Sequence, residues 1–313
     1  MTEVRLGGTD LWVSRLGLGT VELGLPYGIG NTAPPEERDG IALLQWAYDQ
    51  GITYFDTAAG YGRSEELLGR AFAGLSSRPT IATKVALSRP GEDKLLRGKE
   101  LVSHIKKSLL NSLRALTLER LDLLKVHAPA HGLFLSGELL ELMQELSSSG
   151  QVRYWGVSTY GVDQPLHALE HAGTIRAVQV AYNLLDRGPA TTIFPACARA
   201  GMGLILRSVF LKGALSNRLN ALPQTLAPLR RAGEAARQIA QELGVSLPAL
   251  ALRFCASQPL AQVVLVGTAD RSELAGNLAA FAAGPLPEDV LGRINTIEIE
   301  DQALLNPGNW GIG

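Results

Sequence analysis

The feature that most constrains the fold of this chain is a regular alternation between short apolar segments and helical patterns. From Leu16 onward, each run rich in branched or aromatic side chains is followed by a stretch in which apolar residues recur with helical spacing. Alternating units of this kind demand a parallel sheet, and eight of them predict a closed (β/α)8 TIM barrel. The predicted strands are residues 16–18, 53–56, 80–85, 121–127, 154–158, 177–180, 203–207 and 262–267.

Two further segments lie outside these units. Residues 4–6 and 11–13 flank the polar turn 7–10, which predicts an N-terminal β-hairpin. The tail from residue 285 onward is rich in Pro, Asn and Gly near its end, and we expect it to lie near the barrel mouth or to fray. Barrels of this kind commonly exceed about 250 residues. We therefore expect residues 1–313 to form a single domain.

Composition excludes several classes of partner. The formal net charge of -1 and the pI near 6.5 leave no basic surface for nucleic acid or an anionic membrane, which favours a small-molecule partner. No run approaches the ~18 apolar residues of a membrane span. The two cysteines, Cys197 and Cys255, are interpreted as buried thiols, which suits a reducing compartment. We expect a cytoplasmic protein, and nothing in the sequence indicates an oligomer.

The segment 53–62 carries the clearest chemical signal, because Asp56 and Tyr61 stand five residues apart where a buried strand should end. A free phenol is a weak acid at neutral pH. A nearby ammonium would stabilise the phenolate, and a carboxylate would hold that ammonium in place. Lys84 ends the next predicted strand and fits this role. His127 ends the following strand and would add a neutral hydrogen-bond donor for a carbonyl oxygen.

Polar residues also end the later strands. Because active sites of such barrels lie at the carboxyl ends of the strands, these residues should share one site with the first four. Each alone has an ordinary interpretation: Asp56 can cap a turn, Tyr61 can pack, Lys84 can be solvated and His127 can lie in the core. Their occurrence in consecutive units favours a site. The additional strand-end residues are Ser158, Thr159, Gln179, Arg207, Ser208, Gly267 and Thr268.

With these motifs the sequence resembles the aldo-keto reductase superfamily. The matching motifs span most of the chain: 16–20, 55–58 with 61–62 and 64–65, 82–84, 156–158, Gln179 with 182–183, 207–213, and 266–268 with Asn277. The resemblance implies an NAD(P)-dependent oxidoreductase that interconverts a small carbonyl compound and an alcohol by hydride transfer. It implies Tyr61 as proton donor, Lys84 and Asp56 as the groups that tune it, and His127 as the residue that orients the carbonyl.

The resemblance also implies a set of cofactor-binding residues. Ser158, Thr159 and Gln179 would hold the nicotinamide carboxamide, and Tyr182 would stack on its ring. Ser208, Leu211 and Gly213 would follow the pyrophosphate, with Gly267, Thr268, Glu273 and Asn277 near the adenosine. Arg207 is also counted among the cofactor-binding residues.

The choice between NADP(H) and NAD(H) depends on this last group. Relatives selective for the 2′-phosphate often carry basic residues at the positions of Gly267 and Glu273. A glutamate would repel a phosphate but accept hydrogen bonds from ribose hydroxyls. Arg271 lies close in sequence and offers a compensating charge. The wider family favours NADP(H), with NAD(H) as the close alternative.

Three other interpretations remain open. A nucleotide-sensing regulatory subunit would keep the fold and the cofactor but act by binding a partner, although it would not need the proton donor. An aldolase-like barrel would use Lys84 as a Schiff-base nucleophile. A metal at His127 and His131 is disfavoured because no cysteine or carboxylate completes the ligand set.

Overall fold

The computed structural model describes residues 1–30, 33–92, 94–127 and 135–311. Its centre is a closed barrel of eight parallel strands, preceded by a two-stranded antiparallel hairpin. The predicted TIM barrel and hairpin are confirmed. The strands are β1 Glu3–Arg5, β2 Trp12–Ser14, β3 Leu16–Gly19, β4 Tyr54–Asp56, β5 Thr80–Ala86, β6 Leu121–His127, β7 Val152–Thr159, β8 Ile175–Ala181, β9 Gly203–Arg207 and β10 Val263–Gly267. The hairpin is β1-β2, and the order of strands around the barrel is β10-β3-β4-β5-β6-β7-β8-β9.

Helices surround the barrel and connect its strands. Buried apolar residues of these helices form the larger core together with apolar residues of the strands. Of the α-helices in the described residues, two were not predicted: the short Val21–Gly24, and Glu288–Asn295 within the tail. The helices are α1 Val21–Gly24, α2 Glu37–Asp49, α3 Ser64–Ala71, α4 Gly98–Ala115, α5 Gly137–Ser148, α6 Asp163–Leu169, α7 Pro189–Arg199, α8 Ala227–Glu242, α9 Leu247–Ala256, α10 Arg271–Ala282 and α11 Glu288–Asn295.

The hairpin closes the amino-terminal end of the barrel. Leu6, Leu11 and Val13 are fully or almost fully buried, in one cluster with inward-facing strand residues. The hairpin turn contains Gly7 at a φ of 54°, and a Cβ there would lie 2.3 Å from the backbone nitrogen of Gly203. Only glycine fits such a close approach with positive φ. The carboxyl-terminal end is therefore the open end of the barrel.

The parallel register brings the strand-end residues side by side. Asp56 lies beside Gly19 and Ala82 of the neighbouring strands, and Lys84 lies beside Lys125. His127 is paired with Ser158, which is paired in turn with Gln179. The polar residues predicted from five different strands thus gather at the carboxyl-terminal end of the barrel.

Other expectations can be compared with the described residues. Cys197 and Cys255 are both free and buried, as predicted. Among the described helices, none alone has the length and apolar composition needed to cross a membrane. The consecutive segments Gln224–Glu242 and Leu247–Ala256 meet these two criteria only when taken together, and the chain bends by 89° between them.

Candidate active site

A cavity of about 470 Å³ opens at the carboxyl ends of the barrel strands. Its size falls within the range of small-molecule sites. All four predicted catalytic residues and most of the predicted cofactor residues contribute to its lining. The predicted residues found there are Asp56, Tyr61, Lys84, His127, Ser158, Gln179, Arg207, Ser208, Leu211, Gly213, Gly267, Glu273 and Asn277.

Lys84 connects the carboxylate of Asp56 with the hydroxyl of Tyr61. Its ammonium forms a short ion pair with Asp56 Oδ1, donates to the carbonyl of Thr57 at 2.8 Å, and donates to Tyr61 Oη at 3.4 Å. The ammonium also lies 4.8 Å from the centre of the Tyr61 ring. A positive charge in this place stabilises negative charge on the phenol oxygen.

A second lysine, which the sequence interpretation missed, reaches the same carboxylate. Lys125 is fully buried, and its ammonium forms a short ion pair with Asp56 Oδ2. Gln179 Nε2 donates to the same oxygen at 3.0 Å. The signal was present in the sequence: residues alternate between the two faces of a strand, so Lys125 must share the barrel interior with His127, two positions later.

Burial and charge act against each other in this cluster. Burial disfavours the ionised form of Asp56, but attraction by Lys125 and Lys84 outweighs it and keeps the pKa of the carboxyl below its usual value. Burial likewise opposes the charge on Lys84, yet Asp56 and Tyr61 raise its pKa above the usual value. Burial dominates at Lys125, where the pKa falls to about 7 despite Asp56.

His127 lies half-buried at the cavity wall beside Tyr61. The two rings meet edge to face, with centroids 6.3 Å apart and planes at 84°. Burial, with repulsion from Lys84 and Arg207, lowers the pKa of His127 to about 3. The imidazole is therefore neutral at physiological pH, and its N–H can donate a hydrogen bond to an oxygen in the cavity.

Gln179 supplies an unsatisfied buried acceptor. Its Nε2 is engaged by Asp56, while its Oε1 is buried without a hydrogen-bond partner in the described part of the chain. Leaving such an atom unpaired costs about 1–3 kcal/mol. Ser158, on the neighbouring strand, also lines the cavity. Together they present polar atoms that fit a primary amide such as the nicotinamide carboxamide.

The loop that follows β9 has an unusual backbone. Ser208, Leu211 and Lys212 have φ values of 61°, 44° and 54°, and Gly213 follows at 104°. Positive φ in residues with a side chain costs energy and clusters at ligand-binding sites. The preceding Arg207 donates to Thr159 O and Ser208 Oγ, each at 2.9 Å, and its guanidinium lies 4.0 Å from the Tyr160 ring centre.

The end of the cavity beside β10 carries two carboxylates. Glu273, near the start of α10, lies 3.9 Å from the guanidinium of Arg218. Glu22, on α1, faces Gly267, where a Cβ would lie 3.4 Å from its Oε1. The pKa of Glu22 is raised, mainly by burial and also by Glu273, while Arg218 opposes the change.

Four predicted cofactor residues do not line the cavity. Thr159 is fully buried and donates to Gln179 O at 3.2 Å. Tyr182 is 2% exposed, and its ring stacks on Phe254 with centroids 5.5 Å apart rather than facing the site. Thr268 donates to Glu273 Oε2 at 2.6 Å. The guanidinium of Arg271 packs over the indole of Trp46 at 4.7 Å.

The tail does not line the cavity either, within the residues described. Trp310 is buried, and its Nε1 donates to Leu304 O at 2.8 Å. The tail does contact a loop at the open end of the barrel, because Arg187, after β8, donates to Ile297 O at 2.8 Å. The tail therefore packs beside the barrel mouth without closing this cavity.

The metal interpretation can be tested only in part, because His131 lies outside the described residues. One group of three potential ligands occurs in the described ranges: His167, Glu170 and His171, whose ligand atoms lie within 4.8 Å of one another. This group stands at the end of α6 and does not line the cavity.

A closed parallel barrel with charged and polar side chains gathered at its carboxyl-terminal mouth is the architecture of a TIM-barrel enzyme. Comparison with known proteins gives the family. The profile of the Aldo/keto reductase family matches residues 15–299, so the chain belongs to this family of oxidoreductases.

Individual relatives match over most of their lengths. L-galactose dehydrogenase from Arabidopsis thaliana is 27% identical over 321 residues, covering 98% of this chain and 96% of the relative. A probable voltage-gated potassium channel subunit beta from Arabidopsis thaliana is 30% identical over 307 residues, covering 88% and 92%. Among solved structures, the holo form of aldo-keto reductase AKR11C1 from Bacillus halodurans superposes with a TM-score of 0.77 at 26% identity, covering 95% and 96%.

Proposed function

We propose that this protein interconverts a small aldehyde or ketone and the corresponding alcohol, with a nicotinamide cofactor and with Tyr61 as the proton donor. The observation that carries the proposal is the connected set formed by Tyr61, Lys84 and Asp56 beside the neutral ring of His127. The family provides independent support, because it is one of oxidoreductases.

Each residue of the set has a defined task in the reductive direction. His127 donates a hydrogen bond to the substrate oxygen and orients the carbonyl. Tyr61 gives its proton to the same oxygen as negative charge develops there. Lys84 stabilises the phenolate that remains, and Asp56 fixes the position of Lys84. In the oxidative direction the phenolate removes the proton from the alcohol.

The residues present fit a nicotinamide cofactor, which when bound would supply or accept the hydride. Gln179 Oε1, which has no hydrogen-bond partner among the described residues, matches the donor of a carboxamide, and Ser158 lies on the neighbouring strand. The left-handed residues at 208 and 211–213 match a loop that approaches a pyrophosphate closely. These side chains would hold the cofactor along the cavity from the β7 and β8 ends toward the β10 end.

The charges at the β10 end favour NAD(H) over NADP(H). Glu22 and Glu273 both line this part of the cavity and would repel a 2′-phosphate. Arg218 offsets one of these charges, while Arg271 packs on Trp46 instead of lining the cavity. NADP(H), which the wider family favours, becomes the second choice.

Two alternatives differ in what they require. The similarity to a probable potassium channel subunit beta favours a nucleotide-sensing regulatory role as the second candidate, in which the protein acts by binding a partner. Schiff-base chemistry needs an uncharged amine. The raised pKa of Lys84, attracted by Asp56 against the effect of burial, disfavours this reaction.

The test is a parallel titration with NADH and NADPH, followed by tryptophan fluorescence, and then a turnover assay with each cofactor. The panel should contain aldehydes and ketones for reduction and alcohols and aldoses for oxidation, because one relative is a sugar dehydrogenase. Stoichiometric conversion of cofactor and substrate supports the proposal. Tight cofactor binding with no turnover across the panel favours the regulatory role, and no cofactor binding rejects both.

A further inference from the structure

Lys125 is an ionisable residue in a part of the barrel that solvent does not reach. Its side chain is 0% exposed, whereas His127, two positions later on the same strand, lines the cavity. An isolated buried ammonium costs several kcal/mol. Strongly perturbed buried charges cluster at functional sites.

The barrel is shaped to admit this side chain. In the sheet register Lys125 pairs with Gly156 of β7. A Cβ at Gly156 would lie 3.0 Å from Lys125 Cγ and 2.9 Å from Ala177 O, so any larger residue would displace the lysine stem or the backbone. From β4, the ring of Tyr54 lies 6.0 Å from the ammonium.

Two ammoniums, those of Lys84 and Lys125, share the single carboxylate of Asp56. Lys84 has two further acceptors, Thr57 O at 2.8 Å and the Tyr61 hydroxyl at 3.4 Å. Within the described ranges, the hydrogen bond of Lys125 is to Asp56 alone. When Lys125 is protonated, the cluster carries one positive charge more than it carries negative charge, and Lys125 has fewer hydrogen-bond acceptors than Lys84.

We infer that Lys125 is a positioning residue of the reaction, whose ammonium fixes the far oxygen of Asp56 and adds, through Asp56 and Lys84, to the positive potential at the Tyr61 hydroxyl. The inference rests on the function proposed above. Its consequence is that the stabilisation of negative charge at the reacting oxygen depends on whether Lys125 is protonated.

The groups that face Lys125 set the pH range of this effect. Burial lowers the pKa of Lys125 to about 7, with attraction by Asp56 opposing the change and repulsion by Lys84 adding to it.

The neighbouring groups do not produce this effect. Burial raises the pKa of Tyr54, and that of His127 falls to about 3, so neither changes charge near neutrality. Arg207, on β9, repels the Lys125 ammonium. Gly156 and Gln179, from β7 and β8, do not titrate. Among these groups with a shifted pKa, Lys125 is the one whose pKa lies between 6 and 9.

The pH profile of carbonyl reduction by the intact protein tests the inference. The kcat of the wild type should fall as pH rises through about 7, as Lys125 loses its proton. Lys125→Met should lower kcat about tenfold at pH 6 and less than about twofold at pH 9, which removes this inflection from the profile. Lys125→Gln, which keeps a donor for Asp56 but no charge, should lose the same inflection and serves if the Met variant folds poorly.

Lys106→Met is the matched control, because Lys106 forms a surface ion pair with Glu145 at 2.6 Å and lies outside the cavity lining. Its profile should match the wild type. A Lys125→Met variant whose kcat falls by one constant factor at every pH, or does not fall, overturns the inference while the proposed function stands. A wild type that turns over no substrate overturns the proposed function and the inference together.

Discussion

The two ends of the cavity are built in different ways. At the β4–β6 end, Asp56, Lys84 and Lys125 are buried and satisfy one another, with side-chain exposures of 5%, 2% and 0%. At the β10 end, Glu273 and Arg218 are 49% and 32% exposed and lie 3.9 Å apart. Fixed charges act most strongly where water is excluded, and exposed pairs contribute little to stability. The chemistry and the cofactor preference should therefore be separable by substitution.

The largest effect on turnover is expected from Tyr61→Phe, at the buried end. Removing the hydroxyl removes the proton donor, so kcat should fall by about 10²–10⁴-fold. The cofactor Kd, measured by tryptophan fluorescence, should change little because the proposed partner of the phenol is the substrate oxygen and not the cofactor. Tyr48→Phe is the control, since its hydroxyl donates to Ser77 O on the outside of the barrel. Equal kcat values for the Tyr61 variant and the wild type would remove Tyr61 from this role.

The largest effect on stability is expected from Asp56→Asn. The substitution leaves two buried ammoniums without a counter-charge, which should lower the free energy of unfolding by about 3–5 kcal/mol in urea denaturation. Adding Lys125→Met should recover part of this loss, because one of the stranded charges is then gone. If the losses of unfolding free energy caused by Asp56→Asn and Lys125→Met simply add in the double variant, the two residues do not interact. The exposed Asp49→Asn provides the control.

The same variant has a defined pH dependence. The pKa of Asp56 is lower in the folded protein, because Lys125 and Lys84 outweigh the effect of burial. The unfolded state therefore binds more protons in the acid range, so the contribution of Asp56 is present above pH ~4 and is lost as pH falls through the folded pKa. The difference in unfolding free energy between wild type and Asp56→Asn should shrink on acidification.

Strand periodicity explains both the successes and two errors of the sequence interpretation. Asp56 and Lys84 are visible in sequence because each is the one charged residue in an otherwise uncharged strand, β4 or β5. Thr159 follows the cavity-lining Ser158, and neighbours on a strand face opposite sides, so it points away from the cavity. Tyr182 lies directly after β8, three positions from Gln179, and extending the alternation by that odd number turns it away from the cavity; its ring stacks on Phe254. Alternation would have excluded both and would have included Lys125.

Other features depend on distant parts of the chain and were not predictable from local pattern. Arg271 begins α10, but its guanidinium packs on Trp46 of α2, more than 200 positions earlier. Glu22 approaches Gly267 only because β3 and β10 become neighbours when the barrel closes. Helix α11 was missed because the Pro, Asn and Gly content of the tail hid its short amphipathic segment.

A smaller effect on stability is expected from Gly156→Ala. The added methyl meets Lys125 Cγ and Ala177 O at 3.0 and 2.9 Å, which should cost about 1–3 kcal/mol and weaken the ion pair of Lys125 with Asp56. Gly292→Ala, in α11, meets nothing within 4 Å and should instead stabilise by about 0.5–1 kcal/mol. Thermal or urea unfolding measures both. Equal responses at the two positions would contradict the tight packing around Lys125.

The smallest effect is expected at the exposed end, from Glu22→Gln combined with Glu273→Gln. Removing two carboxylates that line the β10 end of the cavity should lower the NADPH Kd relative to the NADH Kd about tenfold. Because the pKa of Glu22 is raised by burial and by Glu273, protonation should also weaken the wild-type preference as pH falls. The kcat at saturating cofactor should stay the same, with Glu145→Gln as a control outside the cavity lining. An unchanged ratio would assign cofactor choice elsewhere, whereas a large fall in kcat would show that the two ends of the cavity are coupled.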